Sequence, residues 1–473
     1  MCYPLPSATI SIRKSSNEHD RLILISHQLM TLLSIPEQKN LLLAIGKTTA
    51  IVDIDIIEIE GNEIVLPDHF FTFFRLPIQV CKLQIMYVPT TQTLKLGPII
   101  ALMTNIRLDE TNAANFHSVH SFCEELHHVI SESGGIFYVF SIDSFPKTGY
   151  FLHKQQWVPA ELPIPDVIYN RIHSRRKEQR PEFQEFKKQL QLSAIPLFND
   201  RFLSKWEVYD KLCHDSSLFS YIPETRLFSK ETLFDFAQKY ETVFIKPIHG
   251  SQGRNIIKLT RDNNGYYSFQ TSFSTNLEGL QLPSPIEDIY LHLRPIVKND
   301  IYLIQRGIDF IEKECKPLDF RILCHKQRQK QWKITSIVAR IGGEQEFVSN
   351  LARGGTMIRP LIALRTCFQP HKARDVFLQI KELSVKIAEA VSFQIEGIFG
   401  ELGIDIGVDL DGKPWLIEVN SKPSKAFENN DGKIRPSANA ITQFCTILAF
   451  ETHFEKEVFA NDTLGHHDTN TKQ

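Results

Sequence analysis

Three oxygen-bearing side chains have a spacing that suits metal chemistry: Asp405, Glu418 thirteen residues later, and Asn420. The first two supply carboxylates and the third supplies an amide oxygen. Mg²⁺ commonly takes one or two protein carboxylates and fills the rest of its shell with water and phosphate. These residues therefore predict a magnesium site, and the alternative interpretation is a solvated strand face with unrelated acids.

A β-hairpin is the element that we expect to bring these side chains together. Asp411-Gly412 is a strong signal for a two-residue turn between alternating runs. With that turn, Asp405 faces Glu418, Gly407 faces Leu416 and Asp409 faces Pro414. One face would be apolar, with Ile404, Ile406 and Val408 against Trp415, Ile417 and Val419. Because like charges directly opposite on a sheet are unfavourable, a cation is expected between Asp405 and Glu418.

The order Asp405, Glu418, Asn420, followed by Ser421-Lys422-Pro423, resembles the metal-binding hairpin of the ATP-grasp superfamily. More narrowly, the chain resembles the YheC/YheD group of endospore-coat-associated ATP-grasp proteins. The resemblance covers most of the chain and is sharpest over residues 199–423. It implies an α/β (α+β) ATP-grasp fold that uses ATP and one or two Mg²⁺ ions.

A glycine-containing loop follows a predicted strand that ends in Lys246. The loop carries Gly250, Ser251 and Gly253. Glycines let backbone N–H groups close over phosphate oxygens, and the lysine adds a point charge. Taken alone, such a loop is more often an ordinary turn. Within the resemblance it corresponds to the phosphate lid, with Lys246 on the α- and β-phosphates.

Further nucleotide contacts are implied by the resemblance. Lys205 corresponds to the second nucleotide lysine of the superfamily, and a surface lysine at the start of a helix is an equally good interpretation. Residues 301–308 resemble the adenine hinge, where the main chain from Gln305 to Gly307 would bind the base edge. Glu312 would accept hydrogen bonds from the ribose, or it is simply exposed.

Two arginines, Arg321 and Arg340, lie on successive predicted strands among apolar residues. They are costly to bury unpaired, and their fork geometry suits carboxylate or phosphate. An ion pair with Asp319 is the alternative for Arg321. Residues 347–356 resemble the N-x-x-R/H-G-G segment of ATP-grasp ligases that add amino acids to peptides or proteins. The resemblance implies that Arg321, Arg340 and Asn350 hold the γ-phosphate and an acyl-phosphate intermediate.

Three regions and a tail are predicted along the chain. Residues 1–95 show short alternating runs, which predict a small β-rich domain. Residues 96–195 alternate buried strands and helices, as in an α/β pre-ATP-grasp domain, and 171–191 predict one charged, solvated helix. Residues 196–460 are assigned to the ATP-grasp domain, whose clearest helix has an apolar stripe over 376–391. Residues 461–473 form a polar tail.

Composition favours a soluble intracellular enzyme. The 473 residues are 42% hydrophobic and 23% charged, with a formal charge of −2, so neither nucleic acid nor a membrane is an expected partner. The first 20 residues lack the apolar segment of a secretory signal, and no run approaches the ~18 residues of a membrane span. Eight scattered cysteines without a CxxC pair predict free thiols. The expected location is the cytoplasm, or the spore coat if the source forms endospores.

These parts together predict an ATP-dependent carboxylate–amine ligase that forms an amide- or peptide-like carbon–nitrogen bond. A substrate carboxylate would attack the γ-phosphorus, and an amine, such as an amino acid or peptide, would then displace phosphate from the acyl phosphate. The alternative is a spore-coat-associated scaffold that retains the nucleotide-binding fold, with spore-coat proteins as partners. The complete set of Asp405, Glu418 and Asn420 favours the enzyme.

Overall fold

The computed structural model describes residues 6–15, 20–36, 40–59, 61–77, 82–250, 253–272, 283–298, 300–327, 331–343, 354–425 and 433–450. Helices and strands alternate through several sheets, which confirms the predicted α/β fold class. Short 3₁₀ helices cover Pro89–Thr91, His117–Val119, Ile142–Ser144 and Phe219–Tyr221.

The first region is a closed β-barrel. Its elements are β1 (Ser7–Ser15), β2 (Leu22–Ser26), α1 (His27–Leu33), β3 (Asn40–Ile45), β4 (Thr48–Ile57), β5 (Glu63–Pro67), α2 (Asp68–Phe73), β6 (Lys82–Val88) and β7 (Thr93–Gly97). The strand order is β1-β5-β2-β4-β3-β7-β6, and the antiparallel pairing of β6 with β1 closes the barrel. Alternate residues such as Ile23 and Ile25 point inward and are fully buried.

The second region is a six-stranded sheet with both faces covered. Its elements are β8 (Ile99–Met103), β9 (Arg107–Leu108), β10 (Ala114–Asn115), α3 (His120–Glu132), β11 (Ile136–Phe140), β12 (Gly149–His153), β13 (Gln156–Ala160), β14 (Val167–Asn170), α4 (Arg175–Glu178), α5 (Pro181–Leu192) and β15 (Leu197–Phe198). The order is β13-β12-β11-β8-β14-β15, and β11, β8, β14 and β15 are parallel. Strands β9 and β10 form a separate antiparallel pair. The central parallel strands β8 and β11 are covered on both faces and are continuous apolar runs.

The two faces of this sheet belong to different cores. Ile99, Ala101 and Met103 join the core shared with the barrel. Ile100 and Leu102 join the core that contains α3 and the last described helix, α11 (Pro436–Phe450). The division after residues 95, 195 and 460 stays a prediction, and α11 packs on the second region although it lies within 196–460.

The single solvated helix predicted over 171–191 is wrong. The structure has two helices, α4 and α5, and α5 begins at Pro181. Proline lacks the N–H that would continue α4, and it is well suited to the first helical position. Phe183, Phe186 and Leu190 of α5 are buried, so this helix packs on the core.

The third region contains two antiparallel sheets that face each other. Its first elements along the chain are α6 (Lys205–Leu212), β16 (Thr225–Leu227), α7 (Lys230–Lys239), β17 (Thr242–Pro247), β18 (Ile257–Arg261), β19 (Tyr267–Thr271), α8 (Ile286–Val297) and β20 (Tyr302–Arg306). The five strands among them form the first sheet. Its order is β16-β20-β17-β18-β19. Residues Val243 and Ile245 of β17 pack against α7 and α8, so Lys246 lies on the opposite face.

The second sheet of this region carries the predicted metal hairpin. Its elements are β21 (Glu312–Lys313), β22 (Lys316–Lys326), β23 (Trp332–Ile341), β24 (Thr356–Ile358), α9 (Pro360–Cys367), α10 (Pro370–Gln394), β25 (Glu401–Val408) and β26 (Pro414–Asn420). The order is β24-β23-β22-β25-β26, and β21 pairs with β22. The apolar stripe predicted over 376–391 is confirmed, because α10 buries Val376, Ile380, Leu383, Ile387 and Val391 against this sheet.

The hairpin differs in register from the prediction. Asp405 faces Glu418 as predicted, but a β-bulge follows, so that Ile406 faces Leu416 and Val408 faces Pro414. The loop spans residues 409–413 instead of two residues. Leu416 therefore joins the core in place of the predicted Trp415. The Asp409 carboxylate accepts hydrogen bonds from the Lys413 N–H (2.8 Å) and the Trp415 Nε1–H (2.8 Å). This side chain therefore stabilises the loop.

Candidate nucleotide and metal site

A cleft of about 1820 Å³ lies between the two sheets of the third region and reaches the second region. Most of the predicted site residues that the structure describes line this cleft: Lys205, Lys246, Gly250, Gly253, Gln305, Glu312, Arg321, Arg340, Asp405, Glu418 and Asn420. Gly307 is next to the cleft, after Arg306. Ser251 and Asn350 lie outside the described residues. The fold thus gathers residues that are up to 215 positions apart, from Lys205 to Asn420, on the walls of one cleft.

One row of side chains crosses the second sheet at the predicted metal site. Arg321 on β22 faces Asp405 on β25, which faces Glu418 on β26. The Arg321 guanidinium donates two hydrogen bonds to the Asp405 carboxylate, from Nε and from Nη2, and Nη2 lies 2.8 Å from Oδ2. Arg340 Nη2 lies 3.1 Å from the same oxygen. Burial alone would raise the pKa of Asp405, but the two guanidinium groups hold it below its ordinary value.

Asp319 completes this cluster and was not predicted as a site residue. It faces Arg340 across β22 and β23, and it accepts hydrogen bonds from Arg340 Nε and Nη2, both at 2.6 Å. The alternative pairing of Asp319 with Arg321 is therefore wrong. The available signal was the spacing: Asp319 and Arg321 are two residues apart, so both project from the same face of one strand.

Lys205 lies inside the cleft, where its side chain is 17% exposed. Its Nζ donates to the Glu418 carboxylate at 3.0 Å and to the Gly250 carbonyl at 2.6 Å. Lys205 is the first residue of α6, and Ser204 caps that helix by accepting from the Glu207 N–H at 3.0 Å. The cap thus fixes the start of α6, where this lysine connects the glycine loop to the predicted metal hairpin.

Lys246 extends from the cleft face of β17 towards the predicted hinge. Its Nζ donates to Gln305 Oε1 at 2.6 Å, and the Gln305 amide donates to Thr225 Oγ1 at 2.9 Å. Burial and the positive charge of Lys205 lower the pKa of Lys246 to about 8. An anion bound beside this ammonium group would therefore stabilise its charged form and raise its pKa.

The hinge itself differs in detail from the prediction. The N–H of Arg306 donates to the Glu224 carbonyl (2.9 Å), and the N–H of Gly307 donates to the Thr242 carbonyl (2.8 Å). These two N–H groups are therefore not available to an adenine edge. A Cβ on Gly307 would lie 2.6 Å from Thr242 Cγ2, so close packing requires glycine there. Glu312 is exposed on β21 at the cleft wall, which agrees with both interpretations offered for it.

The donor set fits a magnesium ion that shares its shell with phosphate. Within the described part of the chain, no group of three or more His, Cys, Asp or Glu side chains could hold a metal ion. Two carboxylates and the Asn420 amide are nevertheless sufficient when phosphate and water supply the other ligands. Lys205 contacts Glu418 and Arg321 contacts Asp405, so binding of the ion requires these cations to move aside or share the carboxylates.

The segment that follows Asn420 crosses the sheet beside the predicted metal residues. A Cβ on Gly403 would lie 2.8 Å from Pro423 Cβ, so this glycine permits the crossing. Lys422 Nζ forms a buried ion pair with Glu178 of α4. The Arg171 guanidinium donates to the Pro423 carbonyl at 2.8 Å. These contacts attach the second region to the segment that follows the predicted metal hairpin.

A fully buried glutamate lies beneath this segment. Glu401 accepts hydrogen bonds from the Tyr169 hydroxyl (2.6 Å) and from Lys425, and His325 Nε2 lies 3.1 Å from its carboxylate. Arg171 Nη1 lies 3.5 Å away. Burial alone would raise the pKa of Glu401, but the neighbouring cations hold it well below its ordinary range. The carboxylate therefore stays charged and joins the second and third regions.

The facing sheets, the glycine loop and the carboxylate hairpin define an ATP-grasp protein. The chain belongs to the YheC/D-like ATP-grasp family, whose model matches residues 194–448. This confirms the family that the sequence motifs predicted. No helix in the described ranges has the length and apolar character needed to cross a membrane.

Two curated relatives come from Bacillus subtilis (strain 168). Endospore coat-associated protein YheD is 28% identical over 348 residues, which cover 71% of this chain and 74% of that protein. Endospore coat-associated protein YheC is 27% identical over 297 residues, which cover 58% of this chain and 75% of that protein.

Solved structures of ligases are also similar to this chain. The D-alanine-D-alanine ligase from Coxiella burnetii has 10% identity and a TM-score of 0.43, covering 78% of this chain and 99% of that chain. D-cycloserine synthetase DcsG has 12% identity and a TM-score of 0.43, covering 73% of this chain and 99% of that chain.

Proposed function

We propose that this protein is an ATP-dependent carboxylate–amine ligase that forms a carbon–nitrogen bond through an acyl phosphate. The observation that carries the proposal is the row formed by Arg321, Asp405 and Glu418, with Lys205 bonded to Glu418. This row puts carboxylates that can hold Mg²⁺ beside cations that can hold phosphate. Phosphoryl transfer needs little else from a protein, because positioning and charge stabilisation supply most of the catalysis.

The acidic residues of the cleft would bind metal ions, and the basic residues would bind phosphate. Asp405, Glu418 and Asn420 would hold the Mg²⁺ ions, which offset charge on the β- and γ-phosphates when bound. Lys205 and Lys246 would hold phosphate oxygens of ATP. The guanidinium groups of Arg321 and Arg340, together with Asn350, would hold the transferring phosphoryl group and the acyl phosphate.

The reaction then needs two balanced steps. First, a carboxylate oxygen of the acid bonds to the γ-phosphorus while the bond to the β–γ bridging oxygen breaks, and ADP leaves. Second, the amine nitrogen bonds to the acyl carbon while the carbon–oxygen bond to phosphate breaks. The amine proton leaves with the phosphate. Charges on the transferring group are borne by Arg321 and Arg340 throughout the first step.

A coat-associated scaffold that keeps nucleotide binding without turnover is the second candidate. It is favoured by the names of the two relatives, both of which are called endospore coat-associated. Under this alternative, the partners would be spore-coat proteins and the location would be the spore coat. Under the ligase proposal, the protein would be a cytoplasmic enzyme, and its partners would be ATP, an acid and an amine.

A hydroxylamine trap separates the two candidates. A ligase should release ADP only when a suitable carboxylate is present, and hydroxylamine should intercept the acyl phosphate as a hydroxamate. The panel should include amino acids and acidic peptides, and Lys246→Ala should remove both signals because it weakens phosphate binding. Lys211→Ala is the matched control, because Lys211 is half-exposed on α6 and does not line the cleft.

Two results would contradict the proposal. ATP binding without carboxylate-dependent ADP release across the whole panel would favour the scaffold. Hydroxamate formation that survives both Lys246→Ala and Glu418→Gln would show that the chemistry takes place elsewhere.

A further inference from the structure

Arg175 lines the cleft although it precedes the segment that matches the family model. It is the first residue of α4 and belongs to the second region. Its guanidinium donates to the carbonyls of Phe202 (3.3 Å) and Leu203 (2.9 Å). The same group lies 3.0 Å from His249 Nδ1, which must accept because arginine only donates. Arg175 therefore reaches from one region to the glycine loop of another.

The charge of Arg175 has no close counterion among the described residues. Its three hydrogen-bond partners are neutral acceptors, and its guanidinium lies 5.4 Å from the centre of the Phe202 ring. No described carboxylate lies within ion-pair distance of it. Burial lowers the pKa of Arg175, while the more distant Glu178, Glu418 and Glu207 favour its charged form. A half-buried guanidinium that faces a cleft without a carboxylate partner is suited to an anionic ligand.

The order of contacts along the cleft indicates which anion this would be. Lys246 contacts Gln305 at the hinge end, and Lys205 contacts Gly250 and Glu418 beyond it. Arg175 lies at the Lys205 end of the cleft, because its contacts are Leu203, two residues before Lys205, and His249, which adjoins the Gly250 that Lys205 contacts. A triphosphate that runs from the hinge past Lys246 would therefore bring its last group to the end of the cleft that Lys205 and Arg175 share.

We propose that Arg175 binds the γ-phosphoryl group of ATP, so that the second region completes the nucleotide site. The inference rests on the nucleotide site in the proposed function, and it adds a residue and a selectivity to that site. An arginine at this place would distinguish ATP from ADP, because only the triphosphate reaches it. Its fork can hold two phosphoryl oxygens at once.

Calorimetric titration of the full chain with Mg²⁺ and either AMPPNP or ADP tests the proposal. Arg175→Gln should weaken AMPPNP binding about ten- to a hundredfold, the range for a hydrogen bond to a charged group, and change ADP binding less than about twofold. Arg175→Lys should recover part of the loss, because it keeps the charge without the fork. Arg176→Gln is the matched control: Arg176 is the next residue, is exposed and does not line the cleft.

Equal losses for both nucleotides in Arg175→Gln would overturn the proposal, since they would mean that Arg175 only supports residues 202 and 203. Unchanged binding of both nucleotides would overturn it as well. If Arg175→Gln does not fold, Arg175→Lys decides, because its ammonium group can still donate to these carbonyls: a loss confined to AMPPNP supports the proposal. A wild-type protein that binds neither nucleotide would instead overturn the proposed function itself.

Discussion

Nucleotide binding should weaken as pH rises, because Lys246 loses its proton near pH 8 in the free protein. Bound phosphate should restore the proton affinity of this ammonium group to its ordinary value of 10.5 or above. With those values, about nine-tenths of the free protein is protonated at pH 7 and about one-tenth at pH 9. Affinity for ADP should therefore fall about tenfold between these pH values, or about 1.4 kcal/mol.

Calorimetry of ADP binding at pH 7, 8 and 9 measures this effect. Titrations in buffers of different ionisation enthalpy should show uptake of about half a proton at pH 8. Nucleotide phosphates are already ionised in this range, since their last pKa is about 6. Lys246→Arg is the control, because arginine stays charged and should give an affinity that is flat with pH. The reasoning fails if wild-type affinity is flat, or if Lys246→Arg shows the same slope.

The same lowered pKa of Lys246 affects folding in the opposite direction, because it makes the free protein more stable as the pH rises. Between pH 8 and 10.5 the unfolded chain binds more protons at Lys246 than the folded chain does, so the stability of the free protein should rise over that window. Lys422, whose pKa burial also lowers to about 8, contributes in the same direction. Lys422 pairs with Glu178 and should not respond to nucleotide.

Three further outcomes are expected. At about 100 times its Kd, ATP with Mg²⁺ should add about 2.7 kcal/mol of stability in a thermal melt, and ATP with a chelator should add much less; equal shifts would count against the metal site. Glu418→Gln should abolish ADP release without unfolding the chain. Asp409→Asn should retain ADP release, since the Asp409 carboxylate stabilises the hairpin loop. If neither variant of an active protein loses ADP release, the hairpin is only structural. Glu401→Gln leaves Lys425 and Arg171 buried without their carboxylate, so denaturant unfolding should show a loss of about 3–5 kcal/mol, and a loss below 1 kcal/mol would contradict this account of the cluster.

The predicted metal hairpin came from local spacing, and the structure shows what local spacing can and cannot define. The pairing of Asp405 with Glu418 follows from strand alternation alone, and it is present. The bulge after that pair is not visible in the alternation, because it depends on how Leu416 packs into the core under α10. The turn signal at 411–412 was likewise overridden, since Asp409 closes a longer loop with its own side chain.

Besides Asp319, sequence reasoning missed the residues that act across regions. Arg171 and Arg175 were assigned to a solvated helix, yet both face the cleft or its floor. Their burial depends on contacts with Pro423 and Leu203, which are far away in the chain. A charged residue in a polar stretch gives no local sign of such a partner. The roles of Ser251 and Asn350 rest on the resemblance alone, because both lie outside the described residues.

The packing of α11 has a consequence for how this chain folds during synthesis. Domains generally complete their cores in the order in which they leave the ribosome. Here Phe444 and Leu448 of α11 belong to the same core as Phe122 and Leu126 of α3, more than 300 residues earlier. The second region therefore emerges early but cannot bury this face until α11 has been made. That apolar face stays exposed to chaperones, or to wrong association, until the third region has been synthesised up to α11.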